Sequence, residues 1–138
     1  MPKFSDSSLV RLKTCHPDIQ KVFTEVIKYV DCTITCGTRN EADQTEAFRT
    51  GKSKVKFPNS KHNASPSTAI DVVPYPVDWN DTKRFYYFVG FVLGIARSLG
   101  VELRTGGDWD GDFDIKDQNF FDLPHFELKS GNNSVIGE

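Results

Sequence analysis

The chain has 138 residues, enough for one ordinary domain with its own hydrophobic core. Its 38% apolar content, with 11 Phe, 4 Tyr and 2 Trp, excludes a disordered protein. The net charge of −2 and the lack of a basic tract leave no electrostatic ground for nucleic acid as a partner.

The opening stretch "MPKFSDSSLVRLK" has no continuous apolar run, so it does not read as a secretory signal. No segment approaches the ~18 apolar residues of a membrane span. Synthesis in the cytoplasm without membrane insertion is the expectation. A short helix is expected around residues 7–13, then a longer one in "HPDIQKVFTEVIKYV". There Ile19, Val22, Phe23, Val26, Ile27 and Val30 recur at helical spacing, and Pro17 suits a first turn. "CTITC" follows as a strand. Its cysteines, Cys32 and Cys36, lie four apart and are expected on one strand face. With Cys15 they make three, and no second Cys/His pair completes a four-ligand zinc spacing. All three read as buried free thiols.

"NEADQTEAFRTG" predicts a helix with Asn40 as N-cap and Gly51 closing it. Residues 52–68, rich in Lys, Ser, Pro and Asn, predict a loop. Residues 69–73 predict a strand ending at Pro74. "DTKRFYYFVGFVLGIARSLG" predicts a helix capped near Asn80 or Asp81 and stopped by Gly100. Its apolar residues cover more than one face, which places it at the centre of the core. "VELRT" and "HFELK" predict the last strands, on either side of the acidic "GGDWDGDFDIKD" loop. The order implies a single α+β domain over 1–138, with a small, mainly antiparallel sheet packed by helices. Its core is expected at about 7–129, with 131–138 as a flexible tail. No heptad or long edge strand is visible, so a monomer is expected.

One residue does not fit a plain core strand. Asp71 sits in the middle of Ala69-Ile70-Asp71-Val72-Val73, nine residues after His62. A carboxylate in apolar surroundings is costly unless it is paired or binds a cation. Of the three histidines, His62 lies in the loop before this strand and His125 opens the last strand. His62, Asp71 and His125 form a plausible three-ligand zinc set that leaves a position for water. Read singly, each has an ordinary structural role: a loop histidine is usually solvated, and a buried Asp pairs with Arg or caps a turn. Asp122, three residues before His125, can share its site only if the chain turns at Pro124. It would then suit a general base, or it caps a turn. Glu127 shares the strand face of His125 and is the rival base or a supporting partner of that ring.

"SKHNASPSTAID" followed far downstream by "DLPH" resembles the zinc D-alanyl-D-alanine and L-alanyl-D-glutamate peptidases, a family that includes phage endolysins and vancomycin-resistance dipeptidases. Its signature is matched by Ser60 and His62, by Ala69 and Asp71, and by Asp122 and His125. Arg39, Asp43 and Gln44 in "GTRNEADQ" match an upstream element. "PYPVDWND" and "LRTGGDWD" are similar to the phage L-alanyl-D-glutamate endopeptidase branch. The likeness runs from about residue 17 to residue 129. The step from His62 to Asp71 is longer than is common in the family, with Ser65-Pro66-Ser67 in the turn; an outward bulge accommodates such an extension.

The resemblance implies a zinc enzyme that cuts the peptide stems of bacterial peptidoglycan, with L-alanyl-D-glutamate cleavage favoured over D-alanyl-D-alanine carboxypeptidase or dipeptidase activity. A non-catalytic zinc or peptidoglycan-binding domain is the rival from another class. By the same likeness, His62, Asp71 and His125 hold zinc and Asp122 takes the proton of the attacking water. Arg39 faces an oxyanion or substrate carboxylate, and Ser60 and Gln44 position substrate. Trp79 and Trp109 either line the cleft or pack in the core. The implied setting is the host bacterial cytoplasm, with a holin giving access to the periplasmic wall. In "DWDGDFD", Asp108, Asp110, Asp112 and Asp114 alternate as in a calcium loop, although a solvated acidic loop is the favoured reading because the full EF-hand pattern is absent.

Overall fold

The computed structural model describes residues 2–106 and 122–129. Asp108, Trp109, Asp110, Asp112, Asp114 and the 131–138 tail lie outside the described residues.

Each predicted helix starts where a side chain satisfies an orphan amide of the first turn. The Ser5 hydroxyl accepts from the Ser8 amide at 3.2 Å to open α1 (Asp6–Lys13). Pro17 opens α2 (Pro17–Val26), where His16 Nδ1 accepts from the Asp18 amide at 3.0 Å. His16 is thus a helix cap. Asn40 caps α3 (Glu41–Arg49) through the Asp43 amide at 2.8 Å, and Gly51 follows at φ +83°. Asp81 caps α4 (Thr82–Ser98).

The strands β1 (Cys32–Cys36), β2 (Ala69–Pro74), β3 (Leu103–Gly106) and β4 (Asp122–Leu128) form one sheet in the order β1-β2-β4-β3, with every pairing antiparallel. This is the α+β arrangement expected. One sheet face carries Ile34, Ile70, Val72 and Phe126 into the core, against Ile19, Val22, Phe23 and Val26 of α2 and Phe88, Val92 and Ala96 of α4. The Phe23 and Phe126 rings meet edge to face, with centroids 5.5 Å apart. Burying each such side chain contributes about 1.5–3 kcal/mol before entropy is counted.

Several expectations need correction. Helix α4 flanks the sheet instead of running through the centre of the core. Phe85, Phe88, Val89, Val92 and Ala96 make one buried face, while Tyr87 is 83% exposed. Its other apolar residues, such as Phe91 and Leu93, pack half-buried at the margin of the core. The cysteines of β1 do not share a face. Ile34 pairs with Val72 but Cys36 with Asp71, so Thr35 is an extra residue in a bulge that reverses the alternation. Cys32 lies in the core, and Cys36 points to the other side with Asp71. Strand β4 begins three residues before the expected "HFELK". The 52–68 loop contains a 3₁₀ turn at Lys61–Asn63. Trp79 is exposed and stacked on Phe85 at 5.6 Å, so it is not a core residue.

Two glycines mark close approaches that place the site. A Cβ on Gly37 would meet the Thr14 hydroxyl and, at 2.5 Å, the Arg11 carbonyl oxygen. On Gly106 it would run into the Asp122 carbonyl group. Only a residue without a side chain lets β1 leave past α1, and β3 pass the start of β4.

Candidate metal centre

Alternation along β2 sends Ile70 and Val72 into the core and Asp71 to the opposite face. Across the sheet, Asp71 is the partner of Cys36 on β1 and of His125 on β4, so the three form one transverse row. His62 arrives from the 3₁₀ turn. Ser60 caps that turn, its hydroxyl accepting from the His62 amide at 3.1 Å while its own amide donates to Asn63 Oδ1 at 3.0 Å. The Arg39 amide donates to the His62 carbonyl at 2.7 Å and fastens the turn to the segment after β1.

The result is a triangle of donor atoms. His62 Nε2 and His125 Nδ1 each lie 3.2 Å from Asp71 Oδ1 and 3.3 Å from one another. Donors held about 2.0–2.1 Å from a tetrahedral zinc ion are themselves separated by about 3.3–3.4 Å. The triangle therefore has the dimensions of a three-ligand zinc face. The far side of each ring is anchored: His62 Nδ1 lies 2.8 Å from the Gly37 carbonyl and His125 Nε2 lies 2.8 Å from Glu127 Oε1. When those nitrogens donate, the lone pairs of the other two face Asp71, the usual support of a metal-binding histidine. Both histidines are fully buried.

The electrostatics agree with a cation-seeking cluster. Burial opposes charge on His62, but the Asp71 carboxylate outweighs it and holds the imidazole well above its ordinary range. Burial also opposes charge on His125, where hydrogen bonds to Asp71 and Glu127 prevail and raise its pKa to about 9. Burial would raise Asp71, yet the two histidines hold it far below the ordinary carboxylate range.

Asp122 joins this group because β4 is irregular. Thr105 pairs with Phe126 but Gly106 with Asp122, so the Leu123–His125 stretch is looped out between successive β3 partners. That bend brings Asp122 near the site despite its odd spacing from His125. Asp71, Asp122 and His125 have donor atoms within 4.8 Å of one another, as do Cys36, His62 and Asp71. Burial, reinforced by the Asp71 charge, raises the Asp122 pKa to about 6.

Arg39 closes one side. Its Nη2 lies 3.6 Å from Asp71 Oδ2 and 3.6 Å from Cys36 Sγ, and its Nη1 donates to Gln44 Oε1 at 3.0 Å. Gln44, expected to position substrate, is fully buried, and its amide group also donates to Ser53 Oγ and the Val55 carbonyl. Gln44 stands behind Arg39. Ser60, also buried, holds the His62 turn. Glu127 is wholly buried on the far side of the His125 ring, with Lys61 Nζ 2.9 Å and Arg104 Nε 3.0 Å from its Oε2. A supporting partner fits this position; a base acting at the donor triangle does not.

Sequence reasoning missed Cys36, Lys61 and Arg104. Cys36 Sγ lies 3.7 Å from His62 Nδ1, and although burial raises its pKa, His62 and Arg39 bring it below the ordinary thiol value. The bulge that turns it toward the site leaves no mark in composition or spacing. Nothing in the sequence singles out Lys61 and Arg104, yet both are buried against Glu127. A separate groove of about 370 Å³ between α4 and β3, lined by Gly90, Leu93, Gly94 and Leu103 among others, holds none of the donor residues.

The chain is similar to known proteins along nearly its whole length. The family model described as phage L-alanyl-D-glutamate peptidase matches residues 1–129. The L-alanyl-D-glutamate peptidase of Escherichia phage T5 is 33% identical over 134 residues, covering 91% of this chain and 97% of that protein. The solved L-Ala D-Glu endopeptidase ChiX of Serratia marcescens superposes with a TM-score of 0.72 at 28% identity, covering 92% of this chain and 90% of the other. With a family match over nearly its whole length, and a sheet that gathers two histidines and two carboxylates at one point, this chain belongs to the phage L-alanyl-D-glutamate peptidase family.

Proposed function

We propose that this protein is a zinc-dependent peptidoglycan hydrolase of the endolysin type, which cuts the bond between L-alanine and D-glutamate in the stem peptide. The observation that carries the reading is the His62–Asp71–His125 triangle at zinc-ligand spacing, with Asp122 beside it. The names of the phage T5 and Serratia relatives support the choice of bond.

His62 Nε2, Asp71 Oδ1 and His125 Nδ1 are the donors assigned to the metal. Zinc held by them supplies Lewis acidity, which lowers the pKa of water and polarises a carbonyl. Asp122, whose pKa in the metal-free chain is raised to about 6 by burial and the Asp71 charge, is a carboxylate at neutral pH and accepts the proton of the attacking water. It then returns that proton to the amine that leaves. Arg39 keeps its charge at any working pH and presents a planar donor fork to the developing oxyanion or to a substrate carboxylate. Gln44 holds that fork in place. Glu127 fixes the tautomer of His125.

The peptidase unit is a single domain with its core at about 7–129, acting as a monomer. Among the described residues, no helix is long and apolar enough to cross a membrane. The proposed setting is synthesis in the host cytoplasm, with passage to the wall through a holin. Mass spectrometry of digested peptidoglycan, with and without a chelator, tests the whole reading. Stem peptides released with free D-glutamate amino ends, and their loss on chelation, are expected. Loss of terminal D-alanine alone would make the protein a carboxypeptidase, and no cleavage with zinc present would leave a binding domain.

A further inference from the structure

Lys61 immediately precedes His62, and Glu127 follows His125 by two residues on the same strand face. The Lys61 side chain is 9% exposed and that of Glu127 is 0% exposed. An ammonium so far out of water is unusual and needs compensation. Lys61 Nζ finds it at Glu127 Oε2, 2.9 Å away, and also donates to the Leu128 carbonyl at 3.1 Å. The other carboxylate oxygen, Glu127 Oε1, holds His125 Nε2 at 2.8 Å. An unbroken run of contacts therefore leads from the His62 turn through Lys61 and Glu127 to the His125 ring. Arg104 already supplies Glu127 with a guanidinium partner from β3, so neutralising the carboxylate does not by itself call for a second cation. Lys61 adds a tie between the turn and β4, the two elements that carry the histidine donors.

We propose that Lys61 is a positioning residue for the metal centre: its buried ion pair with Glu127 sets the His62 turn against His125 and so holds the two donor nitrogens 3.3 Å apart. This rests on the reading of His62, Asp71 and His125 as the donor set. It adds a residue to which neither the motif nor the chemistry of the reaction had given a task. A cation bound to this chain meets a preformed site because the turn, which has only a 3₁₀ geometry of three residues, is clamped from below.

The experiment uses the full chain, its Lys61→Met and Lys61→Arg variants, and Glu127→Gln. Zinc affinity is measured by chelator competition, and donor geometry by the visible absorption of the cobalt(II)-loaded protein. Lys61→Met keeps most of the stem without the charge and should weaken zinc binding about 10-fold or more. Its cobalt bands should shift or lose intensity, and Lys61→Arg should recover most of both. Glu127→Gln still offers an oxygen to His125 but removes the charge that pairs with Lys61, so adding Lys61→Met to it should cost little further affinity; Lys61→Gln serves if Lys61→Met does not fold. A drop in the melting temperature of the metal-free variant, with affinity and spectrum unchanged, would make Lys61 an ordinary structural residue and overturn the proposal. Failure of the unaltered chain to bind zinc or cobalt would overturn the donor reading itself, and this inference with it.

Discussion

Asp71 and His125 are direct partners across β2 and β4, and His125 Nδ1 stands 3.2 Å from Asp71 Oδ1 on the sheet face opposite the core. Because antiparallel register sets this pairing, the carboxylate and the imidazole are held together by backbone hydrogen bonds before any ligand arrives. The candidate metal centre is thus a property of the sheet, completed by one turn.

Asp122→Ala should leave zinc content and fold intact while lowering hydrolysis by about 10²–10⁴-fold, the usual worth of a positioned general base. Metal analysis and near-UV circular dichroism of the variant separate loss of the base from loss of the site. Near-normal hydrolysis would make Asp122 a structural residue.

For His125→Ala, both bound zinc and activity should disappear together. The ring supplies one donor of the triangle, and Glu127 orients it from the far side. Elemental analysis after gel filtration reports the metal. Retention of stoichiometric zinc would remove His125 from the donor set.

Stability of the metal-free protein should fall as pH rises from about 6.5 to about 9. The folded-state pKa of His125 is raised to about 9 from an ordinary 6.5. Its favourable contribution is therefore complete below 6.5 and lost as pH climbs through 9. Zinc requires the neutral ring, so the loaded protein has no such loss and metal binding releases protons. The gap in melting temperature between loaded and stripped protein should widen across this window. A gap that stays flat would show that the histidine does not exchange a proton for the metal.

The activity profile carries a second limb. Asp122 accepts a proton only as a carboxylate, and burial with the Asp71 charge raises its pKa to about 6. A cation at the donor triangle pulls that value down, so kcat/KM should decline with falling pH at or below about 6. An acid limb centred well above 6 would assign the base to another group.

Gln44→Leu should weaken activity without abolishing zinc binding. The change removes the acceptor of Arg39 Nη1, while the Asn63 amide keeps the Arg39 carbonyl and the Val55 carbonyl keeps Ser53 Oγ. A stability cost of about 1–3 kcal/mol is expected from a part-buried donor that loses its acceptor. Denaturant titration gives that cost, and a raised KM with zinc content unchanged would show that Gln44 acts through Arg39. Unchanged kinetics would confine Gln44 to a packing role.

Much of this molecule was legible in the chain. Helical periodicity located α2, and Asn40, like the Asn80–Asp81 pair of which Asp81 proved the cap, announced a helix start because capping is a local hydrogen bond between near neighbours. A carboxylate inside "AIDVV" marked the site, since burying charge demands a partner wherever the strand lies. The motif residues His62, Asp71, Asp122 and His125 do converge. What tertiary structure alone decided depends on register and on contacts between distant segments. The Thr35 bulge turned Cys36 from the core toward the site, and the looped Leu123–His125 stretch brought Asp122 alongside. Helix α4 reads as apolar on several sides, yet only packing against the sheet selected the face to bury. Lys61 and Arg104 carry no mark in the sequence because nothing local reveals that Glu127, from another strand, will meet them out of water. Local bonds are written in adjacent residues, whereas a one-residue slip of register, or a pairing across 66 positions such as Lys61 with Glu127, exists only once the strands have met.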